Sequence, residues 1–164
     1  MVVLLVTSGV QAQSSFSDRM AFAPGEAMFS ANELSLDLGG AYTSRDRNGN
    51  SKDAWGPAVG LNYFFTENIG VGADTYSDGI RIPYMLNGSV IFRYPLREMS
   101  LSPYVFAGAG RQWERASQWT GHLGIGVEYR FNAFTSAFTD LRGVFPDQTD
   151  NYATWRFGFR VVLN

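Results

Sequence analysis

No cysteine occurs anywhere in the chain, so disulfide staples and thiolate metal sites are excluded. Lysine is nearly absent too: of the 13 basic residues only Lys52 is a lysine, and the others are arginines. Arginine is the cation suited to buried, bidentate ion pairs. His122 is the single histidine, which leaves little for acid–base or metal chemistry. Charged residues make up 17% of the chain, low against the roughly 25% of an ordinary soluble domain. A net charge of −2 gives no support to a nucleic-acid partner. No run approaches the ~20 apolar residues of a membrane-spanning helix. What the chain does have is aromatics and glycine. It carries 4 Trp, 8 Tyr, 13 Phe and 18 Gly, more than the core of one soluble domain of 164 residues needs.

The first residues read as the end of a secretory signal peptide. An apolar stretch over 1–6 leads into Val10-Gln11-Ala12, a small-x-small cleavage pattern. A basic n-region is not among these residues. Residues 1–12 are therefore set apart from the fold. Residues 13–32 have no clean period and read as an N-terminal periplasmic segment, either an arm or a short interfacial piece. The barrel argument concerns 33–164.

From there a period of two dominates. Ala153, Trp155, Phe157, Phe159, Val161 and Leu163 alternate with Thr154, Arg156, Gly158, Arg160, Val162 and Asn164. Strand geometry sends the two sets to opposite faces. Trp119, Gly121, Leu123, Ile125, Val127, Tyr129 and Phe131 form one face of another segment, against Thr120, His122, Gly124, Gly126, Glu128 and Arg130. Such alternation outruns the five or six residues of a typical globular strand. It suits the about 9–11 residues of a tilted strand crossing a bilayer. Six further segments alternate around Leu34–Tyr42, Val59–Phe65, Ile69–Tyr76, Tyr84–Tyr94, 101–113 and 133–145. The fold class that follows is all-β, an eight-stranded antiparallel up-and-down transmembrane β-barrel.

The connections are expected to alternate in length. Residues 66–68, 95–100 and 132–133 read as tight turns. Residues 44–54, 77–83, 114–118 and 146–151 read as longer loops. In outer-membrane barrels the tight turns face the periplasm and the longer loops face outside. Aromatics gather at two levels, as headgroup-level girdles do: Tyr63, Phe65, Tyr94, Tyr129 and Phe131 at one, and Tyr42, Trp55, Tyr84, Trp113, Trp119 and Trp155 at the other.

The polar face carries Asp37, Asp74, Glu128 and Asp140 against Arg93, Arg130, Arg142, Arg156 and Arg160. An eight-strand barrel is only wide enough to be filled by side chains. Charges placed inside it must be paired. These nine residues are expected to be structural lumen charges, with glycines making room for guanidinium arms. A soluble barrel or sandwich would turn the same pattern inside out, with the apolar face as its core. Charge-free apolar faces along whole strands count against that alternative.

Four stretches, LNYFFTENIGVGAD, PYVFAGAG, HLGIGVEYRF and WRFGFRVVLN, carry a resemblance. They are similar to strands of the small eight-stranded outer-membrane barrels, the class of the OmpA membrane domain and the opacity-type surface proteins. The resemblance spans roughly 33–163. It implies an integral protein of the bacterial outer membrane. The implied partners are membrane lipid, lipopolysaccharide and the barrel-assembly machinery, with a monomeric state. Members usually end in an aromatic residue, whereas this chain ends Val162-Leu163-Asn164, and no peptidoglycan-binding domain follows. Some such barrels are lipid A deacylases with a serine two residues after the histidine. Here that position is Gly124, so the motif is absent and no catalytic residue or cofactor is expected. Asp46, Asn48, Asn50 and Asp53 imitate part of a calcium loop. Arg45, Arg47 and Lys52 interleave, and no bidentate Glu follows. No metal site is expected there, though the basic residues could touch lipopolysaccharide phosphates. The functional expectation is a non-enzymatic structural barrel serving membrane integrity. A low-conductance pore and short-loop surface recognition are the alternatives.

Overall fold

The computed structural model describes residues 28–44, 54–77, 85–113 and 117–164. The expected signal peptide, most of the N-terminal segment, the calcium-like loop and Tyr84 lie outside the described residues. Eight strands hold nearly all the rest: β1 Glu33–Ser44, β2 Ala54–Phe64, β3 Ile69–Tyr76, β4 Met85–Arg93, β5 Leu101–Trp113, β6 Ser117–Arg130, β7 Thr135–Pro146 and β8 Tyr152–Val162. Each pairs antiparallel with the next, and β1 pairs with β8 to close the barrel. Closure leaves no strand edge with unpaired backbone groups, a condition for sitting in lipid.

Alternation decides which side of the wall each residue takes. In β4 the buried residues are Met85, Asn87, Ser89, Ile91 and Arg93, and the exposed ones are Leu86, Gly88, Val90 and Phe92. The outer wall is predominantly apolar. Val90, Ile125 and Phe159 are 61%, 62% and 63% exposed. A soluble barrel would bury these and expose the arginines. Here Arg93, Arg130 and Arg142 are among the most buried side chains. The inside-out alternative is therefore overturned: the solvent of the outer wall is hydrocarbon.

Both described termini lie at one end, which we call the terminal mouth. Asn164 accepts from Leu34 N–H at 2.7 Å and donates to Asn32 O at 2.6 Å. The other end is the distal mouth. Connection lengths separate the two ends less cleanly than the sequence suggests. At the distal end only 114–116 lie between β5 and β6, and Trp113 pairs with Ser117. The polar pair Ser117-Gln118 read as loop, yet Gln118 is a buried lumen residue in register with Gln112. At the terminal end the connection 94–100 is longer than that and contains a 3-10 turn over Arg97–Met99. β2 also starts earlier than expected, at Ala54, with Pro57 opposite Gly40.

Candidate functional site: an ion-paired lumen

The inward faces bring all nine sequence-selected charges into the lumen, each buried. A tenth joins them. Glu33 is 1% exposed and belongs to the same set, giving five carboxylates against five guanidinium groups. They form two networks, each neutral in itself.

The first network sits toward the terminal mouth. Arg93 grips Glu33 with two bonds, at 2.8 and 3.1 Å. Arg130 also donates to Glu33, and its Nε donates to Glu128 at 2.7 Å. Arg160 links Glu128, at 2.6 Å, to Asp37, which it holds with two bonds at 2.6 and 2.9 Å. Asn62 donates to the same Asp37 at 2.9 Å. The second network lies toward the distal mouth. Arg156 holds Asp140 with two bonds, at 2.9 and 2.7 Å, and reaches Asp74 at 3.2 Å. Arg142 holds Asp74 with two bonds, at 2.9 and 2.8 Å, and Asn87 adds a third donor at 3.0 Å. Paired forks of this kind are among the stronger hydrogen bonds, and they answer the cost of burying each charge.

Aromatic rings fill the space between the ion pairs. The Arg93 guanidinium lies 3.6 Å from the Phe64 ring centroid, and Arg142 lies 5.0 Å from that of Phe106. Arg160 faces Phe138 at 5.4 Å. Each ring offers a cation its negative face where water cannot. Two glycines make this possible. Gly124 and Gly126 stand opposite Phe106 and Tyr104 across the β5–β6 pair. A Cβ on Gly126 would come within 2.5 Å of Tyr104 Cζ, and one on Gly124 within 2.3 Å of Phe106 Cζ. Here, then, the glycines admit rings rather than guanidinium arms.

Both mouths are filled. At the terminal mouth Phe29 is 1% exposed, between Arg130 at 4.5 Å and Arg93 at 5.1 Å. Met28 O and Ser30 O accept from the same two arginines. The described part of the N-terminal segment is thus a plug rather than an arm. At the distal mouth Ala41, Ala58, Tyr76, Met85, Val144 and Tyr152 make an apolar cluster. The connection 147–151 is tied to the distal end of β6, with Gln118 accepting from Gln148 N–H at 3.1 Å and donating to Thr149 Oγ1 at 3.2 Å.

The partner of His122 is Ser89 and not Glu128: the two side chains meet at 2.8 Å from either side of Gly108, on strands β6 and β4. Glu128 is six residues along the same strand, roughly 20 Å at 3.3 Å per residue. A serine–histidine contact invites a hydrolytic reading. Its Nδ1 has no acceptor among the described residues, so nothing orients the ring as a base. Ser89 and His122 are also both buried between the filled mouths. The described residues contain no cluster suited to a metal ion.

Two members of the site escaped the sequence reading. Glu33 shares the inward parity of Ser35 and Asp37 and was legible by counting back one step past Leu34. Phe29 carries no periodic signal at all.

Solved structures share this architecture. The N-terminal β-barrel domain of OprF from Pseudomonas aeruginosa matches with a TM-score of 0.58 at 17% identity, over 80% of this chain and 98% of that one. The attachment invasion locus protein Ail of Yersinia pestis matches at 0.57 and 16%, over 81% and 99%. Neisserial surface protein A matches at 0.58 and 15%, over 85% and 99%. No protein-family model matches the chain, and no curated protein does. At these identities the likeness speaks for the fold. The chain has the fold of the small eight-stranded outer-membrane β-barrels, a closed antiparallel up-and-down transmembrane barrel. Its apolar outer wall and charged interior are those of an integral outer-membrane protein.

Proposed function

We propose that the protein is a non-catalytic structural element of the bacterial outer membrane, a sealed cylinder that contributes to membrane integrity rather than to transport. The observation that carries this reading is the filled lumen: five acids and five arginines paired internally, between a Phe29 plug and a Met85–Tyr152 cluster. An ion crossing the barrel would have to break at least one two-bond pair. An even strand number puts both described ends at one mouth; in this proposal that terminal mouth faces the periplasm and the distal mouth faces outside, the usual layout of outer-membrane barrels. Two of the four distal connections span only 114–116 and 147–151. That is little area for a standard protein interface, which weighs against recognition as the main role.

The test is electrical. Refolded full-length protein inserted in a planar bilayer should pass no steady current, while a heat-shift gel verifies that it is folded. Sustained single-channel steps from folded protein would replace this reading with the pore.

A further inference from the structure

The outer wall carries one charge. Of all outward-facing residues on the eight strands, only Arg111 is ionised. Its register neighbours are Leu86 on β4 and Trp119 on β6, both outward and apolar. It stands two residues inside Trp113, at the level of the distal aromatic girdle. A cation on a lipid-facing wall is unfavourable unless it meets a headgroup.

Its geometry is fixed rather than trailing into water. Nε donates to Ser117 Oγ at 2.7 Å. The guanidinium lies against the Trp119 ring, 5.5 Å from its centroid. With Nε tethered and one face covered, the two terminal nitrogens have no acceptor among the described residues. No carboxylate of the described residues pairs with them. That free fork matches two oxygens of a phosphate.

We infer that Arg111, held by Ser117 and Trp119, is a binding site for a phosphate of the outer-leaflet glycolipid, the phosphorylated glucosamine lipid of lipopolysaccharide. This rests on the proposed orientation, in which the distal girdle lies in the outer leaflet. Leu86, level with Arg111, and Ala109, two residues further toward the bilayer centre on β5, would lie along the lipid's chains. The site would fix lipid around the barrel and couple it to the surrounding membrane.

The experiment is native mass spectrometry of the full-length barrel released from detergent with added diphosphorylated lipid A, dephosphorylated lipid A or phosphatidylglycerol. The variants are Arg111→Gln and, as a control cation at the opposite end, Arg97→Gln, whose partner is Glu67. We expect Arg111→Gln to weaken retention of diphosphorylated lipid A by about tenfold, the worth of one charge-assisted contact. Dephosphorylating the lipid should cost the wild type the same and cost Arg111→Gln little more. Arg97→Gln should bind as wild type. The site is overturned by equal retention in Arg111→Gln, by equal loss in Arg97→Gln, or by phosphatidylglycerol held as firmly as lipid A. A heat-shift gel on each variant separates these failures from failure of the barrel reading, which would appear as no shift at all.

Discussion

Arg160 is the residue on which the first network turns, because among the described residues it alone joins Asp37 to Glu128. Arg160→Ala would leave one acid without its fork and the other short of a donor. Loss of one partner from a buried pair costs about 3–5 kcal/mol. Thermal unfolding in detergent should show a correspondingly lower midpoint, and an unchanged midpoint would refute the paired-lumen account. Glycine supplies a second case with its own control. Gly126→Ala puts a methyl into Tyr104 and Asp140, whereas Gly121 has nothing within 4 Å of an added Cβ. Gly126→Ala should lower the midpoint and Gly121→Ala should leave it alone or raise it slightly. The nine charges were legible in the sequence because parity alone assigns a side of the wall. Their partners were not, since Asp37 and Arg160 lie 123 residues apart and period-two patterning carries no register. Phe29 was illegible for a different reason: its burial comes from two arginines on other strands.

At the scale of the strand, the consequence of position is depth. Leu123 is 56% exposed on the outer face of β6, six residues from the strand's distal end at Ser117. An arginine at mid-depth on the lipid face costs about 2–4 kcal/mol, and near the interface about 0–1 kcal/mol. Leu123→Arg should therefore sharply reduce the folded fraction in a refolding assay into lipid vesicles, and Ser117→Arg should barely change it. Equal effects would mean that the wall does not lie across hydrocarbon. Strand interiors were the most legible part of the chain, since long alternation has few competing explanations. Strand ends were least legible. Ser117, Gln118 and Pro57 look like loop residues by composition, yet they pair because neighbouring strands supply the register. The 3-10 turn over Arg97–Met99 left no periodic trace either, with Ser100 held at a φ of 53° to re-enter β5.

At the scale of the whole molecule, the barrel's closure is written into its charge arrangement. β8 pairs with β1 across the full length of the chain. It also contributes one arginine to each network, Arg160 to the first and Arg156 to the second. Before β8 docks, the remaining strands hold an excess of one negative charge in each half of the interior. Neither half can be neutral until the last strand arrives. A chain cut short before β8 thus faces lipid with two unanswered carboxylates and an open seam, and it would be held back from the bilayer.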